Sequence, residues 1–258
     1  MSKTSKQVMK KAKTAVLQTA VVILALFLLW VLVHEIVGNE SLVPSVGECL
    51  LSMWRFFGDS GFWLAFASTF LRVIVVFIIS MCFALICAFI SYLVPWFLRI
   101  VTPIVAFLRT LPVLAALLII LIWAGAGGAP IVVAFLSLFP MLYTGIFTAL
   151  CNVDKGIEEL NRVYKVPLKK QIAQFYLPTI LPSAIREGSG GLAFALKLVV
   201  SAEVLADTYH SLGGLMKDAK LYYEMPALFA LVLIVCLLGF IVETVGILLA
   251  DGAERRAR

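Results

Sequence analysis

Long apolar runs separated by short polar segments make up most of this chain. A helix that crosses a bilayer needs about 20 mostly apolar residues, and six runs in the sequence are long enough. They occupy residues 15–37, 62–93, 97–124, 129–150, 183–205 and 226–250. The strands of a membrane barrel would instead alternate apolar and polar residues over segments of about ten residues, which this sequence does not do. The pattern predicts an all-α, polytopic membrane protein with six transmembrane helices.

Two of these runs need a separate argument. Run 15–37 follows several lysines, as in a signal peptide, but it exceeds the about 7–15 apolar residues of a signal peptide and has no small-residue cleavage site, so we expect it to be retained. Run 183–205 is diluted by glycines and two charges, but small residues allow helices to pack closely in a bilayer. The predicted organisation is a basic N-terminal tail at 1–14, one transmembrane domain at 15–250 that includes a loop at 151–182, and a C-terminal tail at 251–258.

Composition agrees with a membrane protein and argues against a soluble one. Of the 258 residues, 62% are hydrophobic and 14% are charged, whereas soluble domains are about 45–50% apolar and about 25% charged. The net charge of +6 could suggest a nucleic-acid partner. The distribution of the basic residues along the chain decides between the two explanations.

Basic residues concentrate in alternate loops. Lysine and arginine are enriched in the cytoplasmic loops of membrane proteins. With the N-terminus in the cytoplasm, and with Arg99 and Arg186 counted at the cytoplasmic edges of their runs, fifteen of the 21 basic residues fall on the cytoplasmic side, three on the opposite side and three deeper within the runs. The fifteen are Lys3, Lys6, Lys10, Lys11, Lys13, Arg99, Lys155, Arg162, Lys165, Lys169, Lys170, Arg186, Arg255, Arg256 and Arg258. This asymmetry predicts that both termini are cytoplasmic, and it explains the net charge without nucleic acid.

The sequence contains no recognisable pattern for catalysis or metal binding. Its five cysteines are scattered and form no CxxC or other metal-ligand spacing. It has no GxxxxGK[ST] phosphate loop, no HExxH and no GxSxG. We therefore expect no catalytic residue, no metal site and no cofactor on this chain. The energy for any transport would come from an ion gradient or from a partner chain.

The polar segment at 158–182, EELNRVYKVPLKKQIAQFYLPTILP, has the pattern of a helix–turn–helix. Its apolar residues recur at intervals of three or four, which corresponds to one face of a helix. Pro167 disfavours helical angles at the preceding residue and suits the first position of a new helix. We predict a helix at 157–164, a turn at 165–166, and a second helix from Pro167 to near Tyr176. Such a segment could lie on lipid headgroups or dock into the groove of a cytoplasmic protein.

The same segment resembles the EAA loop in the permease subunits of binding-protein-dependent ABC importers. That loop contains Glu-Ala-Ala, then a glycine, and further along a Leu-Pro pair. When the two are aligned on Leu177–Pro178, the glutamate position is taken by Glu159 and the glycine position by Lys165, and both alanines are replaced. The resemblance implies that the residues coupling this chain to an ATPase are Glu159, Leu160, Asn161, Val163, Tyr164, Lys165, Pro167 and Leu168.

Three further stretches resemble the same family, in the same order along the chain. STFLRVIVVF is similar to the Ser-Leu-x-Arg start of a membrane helix in this family. PIVAFLRTLPVLAALLIILIWAGAG is similar to its proline-containing core helix, which a glycine turn follows. ALKLVVSAEVL and SLGGL are similar to the nitrate/sulfonate/taurine-type branch. The resemblance extends from about Ser68 to the C-terminus.

The resemblance implies a type I ABC importer permease in a bacterial cytoplasmic membrane. In such importers ATP and Mg²⁺ are bound by separate ABC ATPase subunits, and the loop is a coupling helix seated in a groove of the ATPase. The implied partners are these ATPases, a second permease copy in a homodimer or a heterodimer, an extracytoplasmic substrate-binding protein and membrane lipid. An ion-coupled secondary transporter or channel remains the alternative.

Four charged residues in the predicted spans are candidates for a functional site, namely Arg72, Arg109, Lys197 and Glu203. A charge at the bilayer centre costs about 2.5–3.5 kcal/mol on insertion scales, so such residues face the protein interior or water. One interpretation is structural, with Arg72 or Lys197 pairing with Glu203 to hold helices together. The other is that all four line the translocation path, where the bases favour a small polar or anionic solute.

Overall fold

A computed structural model describes residues 21–22 and 24–257, and every regular element in these residues is helical. The all-α class is therefore confirmed. The elements in chain order are α1 (Leu24–Val37), α2 (Val46–Phe57), α3 (Ser60–Leu93), α4 (Pro95–Thr110), α5 (Val113–Cys151), α6 (Lys155–Val163), α7 (Leu168–Gln171), a π-turn (Ile172–Tyr176), α8 (Leu177–Ala206), α9 (Leu212–Leu221) and α10 (Met225–Ala257). The predicted basic tail at 1–14, the start of the first predicted span and Arg258 lie outside the described residues.

Four of the described helices are long and apolar enough to cross a membrane. They are Ser60–Leu93, Val113–Cys151, Leu168–Ala206 and Met225–Ala250, and α1 is a shorter apolar helix. The chain is therefore a multi-pass membrane protein by the length and composition of its helices. The predicted total of six spans stays a prediction.

The chain divides into two compact units. Among the described residues, the first contains those up to 58 together with 219–230, and the second contains 59–218 and 231–257. In the first unit, the indole nitrogen of Trp30 donates to the carbonyl of Pro44 at 3.2 Å, and the Trp30 and Phe229 rings lie 5.8 Å apart. Ser45 caps α2, because its hydroxyl accepts the N–H of Glu48 at 3.3 Å. These contacts fix the turn between α1 and α2.

Helices α3, α5 and α8 form the core of the second unit. Their facing side chains are almost all apolar and include Val76, Leu142 and Val199, each fully buried. One polar contact joins α5 to α3 inside this core, where the Tyr143 hydroxyl donates to Ser91 Oγ at 2.9 Å. Because both residues lie towards the C-terminal ends of their helices, those two ends lie on the same side of the unit.

The third and fourth predicted spans, 97–124 and 129–150, are divided differently in the structure. Leu111 has extended backbone angles (φ −63°, ψ 124°), so α4 ends at Thr110 and α5 starts after Pro112. Proline disfavours helical angles in the residue before it, and hydropathy does not detect such a break. The predicted glycine turn is instead a single kink at Gly125, with φ 65° and ψ 175°.

The prediction that the second loop helix ends near Tyr176 is wrong. The chain continues through the π-turn and then through α8, so residues 168–206 form one uninterrupted helical segment. In the π-turn the N–H of Leu177 donates to the carbonyl of Ile172, five residues earlier. The wider turn just before Pro178 makes room for its ring, which would clash with the preceding turn of a regular α-helix. The Thr179 hydroxyl also donates to the carbonyl of Phe175 at 2.7 Å.

Glycine allows α10 to approach α8 closely, and a substitution can test this. A Cβ on Gly246 would overlap the side chain of Ser189, whereas a Cβ on Gly190 would meet no atom within 4 Å. We expect Gly246→Ala to destabilise the protein by about 1–3 kcal/mol through overpacking. Gly190→Ala should be neutral or stabilise by about 0.5–1 kcal/mol, because alanine is the better helix former.

Thermal unfolding of the purified protein in detergent measures both changes. The close approach of α8 and α10 would be contradicted if Gly246→Ala were as stable as Gly190→Ala.

Candidate functional site

Arg72 and Glu203 form an ion pair within the spanning helices of the second unit. Arg72 Nη1 lies 2.9 Å from Glu203 Oε1, and the two side chains are 18% and 0% exposed. A buried carboxylate without partners would carry a large desolvation cost. Of the two pairings with Glu203 that were predicted, the structure contains the one with Arg72.

Two further groups complete the coordination of the Glu203 carboxylate. Thr69 Oγ1 donates to Glu203 Oε2 at 2.9 Å, and the backbone N–H of Gly213 donates to the same oxygen at 3.2 Å. The N–H of Leu212 in turn donates to Thr69 Oγ1 at 2.9 Å. The carboxylate thus joins α3, α8 and the first turn of α9, where negative charge is favoured by unpaired N–H groups.

The segment between α8 and α9 is shaped to bring these donors to Glu203. Asp207 and His210 both have left-handed backbone angles, with φ 55° and 46°, which fold the chain back over the end of α8. A Cβ on Gly213 would collide with the Cβ of Glu203, so only glycine fits here. The Thr208 hydroxyl donates to the carbonyl of Ala126 at 2.7 Å, which ties the segment to the kink in α5.

The other two predicted intramembrane charges do not join this network. Arg109 and Lys197 are both exposed. Lys197 lies beside α10, where a Cβ on Gly239 would be 3.8 Å from its Cε. The structure therefore brings two of the four predicted residues together and leaves two on the protein surface.

Sequence reasoning missed Thr69 and Glu187. Thr69 precedes Arg72 by three residues, a spacing that places both on one face of a helix, so the signal was present. Glu187 is half-buried on α8, and a Cβ on Gly145 of α5 would collide with its carboxylate group. It was overlooked because it directly follows Arg186 at the edge of a predicted span.

The loop after α5 carries an apolar stripe on its surface. Ile157, Leu160, Val163 and Tyr164 are 41%, 54%, 74% and 76% exposed. Their spacing of three or four residues places them on one side of α6. The predicted first helix at 157–164 is therefore present as α6, Lys155–Val163, and its apolar side faces outwards.

Lys165 adopts the backbone conformation that glycine favours. Its φ is 50°, in the left-handed region that costs other residues about 1–2 kcal/mol. The N–H of Val166 donates to the carbonyl of Asn161 at 3.0 Å, five residues back, as in a Schellman helix ending. Lys165 thus ends α6 in the way that glycine ends many helices, and the predicted turn at 165–166 is present.

The start of the second helix is close to the prediction. Pro167 has extended ψ (137°) and directly precedes α7, whose first residue is Leu168. Gln171 Nε2 donates to the carbonyl of Val166 at 2.7 Å, which secures the turn. Glu159 and Leu168 are exposed, and Asn161 is half-buried. The eight residues predicted to couple to a partner therefore lie in one compact helix–turn–helix.

The described residues thus contain apolar spanning helices, an internally neutralised ion pair and a helix–turn–helix with an exposed apolar side. The family comparison makes the class specific. The chain belongs to the family of binding-protein-dependent transport system inner membrane components, which matches residues 80–258. It is therefore a membrane permease subunit of an ABC importer, with the type I ABC permease fold.

Several curated permeases are similar to this chain. A probable ABC transporter permease of Brucella melitensis is 27% identical over 171 residues, which cover 65% of this chain and 68% of the relative. The putative aliphatic sulfonates transport permease SsuC of Escherichia coli is 26% identical over 209 residues, covering 78% and 76%. The taurine transport system permease TauC of the same organism is 26% identical over 192 residues, covering 72% and 68%.

A double-substitution cycle tests the ion pair. Glu203→Gln should reduce stability by about 3 kcal/mol, because it leaves the Arg72 guanidinium partly buried without a counter-charge. Arg72→Gln should have a similar effect. The combined variant should be more stable than the sum of both losses predicts, because no charge remains buried. Thermal unfolding in detergent measures all three, and Lys197→Gln is the control for loss of an exposed charge. Strictly additive losses would show that the two residues act independently.

The left-handed turn is tested by two lysine-to-glycine substitutions. Lys165→Gly should stabilise the helix–turn–helix by about 1 kcal/mol, because glycine adopts positive φ without strain. Lys169→Gly should destabilise it by about 1 kcal/mol, because glycine is unfavourable within a helix. Amide hydrogen exchange of residues 157–171 should slow about fivefold in the first variant and accelerate in the second. Changes of the same sign in both would contradict the turn.

Proposed function

We propose that residues 157–176 couple this permease to a cytoplasmic ABC ATPase and that the spans form a path for a small polar or anionic solute. The observation that carries the proposal is the exposed apolar stripe on α6. Four neighbouring apolar side chains exposed on a polar helix are typical of a surface that another protein covers. A helix presenting such a stripe fits an apolar groove of a partner.

The turn supports the same interpretation. The Schellman-type ending at Lys165 and the hydrogen bond from Gln171 to Val166 hold α6 and α7 at a fixed angle. A preorganised segment loses little conformational entropy on binding. It also moves as one piece when its partner moves, which coupling requires.

In this proposal the orientation of the chain in the membrane follows from its basic residues. The segment 151–186, which includes the loop and the start of the next predicted span, carries six basic residues, and basic segments next to spans are retained in the cytoplasm. Both termini would lie on the same side as this loop, next to the ATPase. The membrane would be the bacterial cytoplasmic membrane, and ATP and Mg²⁺ would bind to the ATPase.

The solute path is proposed to use the exposed intramembrane bases. Arg72 is already neutralised by Glu203, so we assign this pair to positioning α3, α8 and α9 at the border of the path. Lys197 on the spanning helix α8 and Arg109 in the last turn of α4 are both exposed, and an exposed cation at membrane depth requires water or an anion beside it. Relatives named for aliphatic sulfonates and taurine support a small anionic solute. A second permease copy, identical or related, and an external substrate-binding protein would complete the importer.

Disruption of the stripe tests the coupling. The tagged permease should co-purify from its native membrane with an ATPase identified by its phosphate-loop sequence. Val163→Glu or Leu160→Pro should reduce recovery of this ATPase at least about tenfold, equivalent to about 1.4 kcal/mol. Leu221→Glu changes a leucine that is 61% exposed and lies outside the loop, so recovery should be unchanged.

Uptake into vesicles separates this proposal from an ion-coupled transporter. Transport should require ATP on the ATPase side and should be lost in Val163→Glu. Transport by the permease alone on an ion gradient, unaffected by this substitution, would refute the proposal.

A further inference from the structure

Helix α2 exposes one side that carries large apolar residues. Leu50, Leu51 and Trp54 are 55%, 51% and 75% exposed and lie within about 100° of one another around a helix. Cys49 on the opposite side is fully buried, and Ser52 near it is half-buried. A helix in contact with water presents polar residues on its exposed side, so this side of α2 is unsuited to water.

Charged residues flank the apolar side rather than interrupt it. Glu48 and Arg55 project next to Leu51 by helical spacing, and Arg55 is exposed. Arginine can lay its aliphatic stem along an apolar phase while its guanidinium stays in the polar region. An apolar side rich in leucine and tryptophan beside a charged flank is typical of helices that lie in a membrane interface.

Chain connectivity places α2 at the membrane boundary. Its last residue, Phe57, is separated by Gly58 and Asp59 from Ser60, where the spanning helix α3 begins. The three residue steps from Phe57 to Ser60 reach at most about 11 Å, so the C-terminal end of α2 lies near the point where α3 leaves the bilayer. The hydrogen bond from Tyr143 to Ser91 places the other end of α3 beside the end of α5, which leads into α6. The end of α3 joined to α2 is therefore on the membrane surface opposite the α6 loop.

We propose that α2 lies in the plane of the bilayer on this surface, with Leu50, Leu51 and Trp54 inserted at the boundary between headgroups and acyl chains. The occupant of the exposed side is membrane lipid. At the start of α3 itself Trp63 is 48% exposed, and tryptophan is enriched at the depth of the membrane interface. A substrate-binding protein that associates and dissociates would leave the three side chains in water between encounters, whereas lipid covers them at all times. This inference does not depend on the proposed coupling to an ATPase.

Fluorescence of Trp54 tests the proposal. The chain has five tryptophans, so Trp30, Trp63, Trp96 and Trp123 are replaced by phenylalanine and the full-length protein is reconstituted in phosphatidylethanolamine–phosphatidylglycerol vesicles. One set contains phosphatidylcholine dibrominated near the headgroup, and another contains phosphatidylcholine dibrominated near the chain end. The shallow bromines should reduce Trp54 emission by about half and the deep ones by less, because an interfacial helix inserts only about 5–10 Å. Iodide in the buffer should have little effect.

The matched control moves the indole to the other side of the helix. Ser52→Trp combined with Trp54→Phe should show much weaker quenching by the shallow bromines. Size-exclusion chromatography and circular dichroism establish that each protein is folded. Should the four-substitution protein not fold, the difference between the wild type and Trp54→Phe in the same vesicles supplies the Trp54 contribution.

Two outcomes would overturn the proposal. Strong quenching by iodide with none by bromine would show that the apolar side faces water. The absence of quenching by either reagent would show that a second copy of this chain or another protein covers it.

Discussion

A carboxylate within a bilayer must obtain all its partners from the protein, and the arrangement of the second unit follows from how Glu203 meets this requirement. Water is absent from the hydrocarbon region, so each unpaired polar group there costs several kcal/mol, on the order of a lost hydrogen bond or more. Arg72 and Thr69 approach from α3, and the N–H of Gly213 approaches from α9. Helices α3 and α9 must therefore both converge on one side chain of α8, and a change in the position of any of the three helices leaves a charge or a donor without a partner.

The same requirement governs the interruptions of the helices. The kink at Gly125 frees backbone groups of α5, and the Thr208 hydroxyl donates to the carbonyl of Ala126 beside it. The π-turn before Pro178 has a comparable partner, because Thr179 donates to the carbonyl of Phe175. Threonine hydroxyls thus occupy both places where the backbone hydrogen-bond ladder is irregular, and at the kink in α5 this is the arrangement expected of non-helical backbone at membrane depth. The segment that carries Glu203's partner Gly213 is consequently also the segment that secures the kink in α5.

The helices whose positions depend on local residue pattern could be predicted from the sequence. Apolar runs located the spanning helices, and the three-to-four spacing with Pro167 located α6, the turn and the start of α7. The positions at which helices break or kink were predicted less accurately, because a hydropathy window averages over Leu111–Pro112 and Gly125. The π-turn was missed because proline usually ends a helix, and only the structure shows the wider turn that lets the chain continue. The pairing of Arg72 with Glu203 joins residues 131 positions apart, and the sequence alone left Lys197 as an equal candidate.

Helix α8 connects the helix–turn–helix at its N-terminal end with the Glu203 network at its C-terminal end. It is unbroken from Leu177 to Ala206, a length of about 45 Å at 1.5 Å per residue. Its first residue, Leu177, directly follows the π-turn after α7, and Glu203 lies in its last turn. Tyr176 in this π-turn is buried and lies 5.7 Å from the ring of Tyr92 on α3, so the helix is held against α3 at both ends, by aromatic packing at one and by the ion pair at the other. If a partner displaces α7, either α8 and α3 shift together or one of these two contacts separates. The aromatic contact separates at the lower cost in free energy, because its loss leaves no charge unpaired.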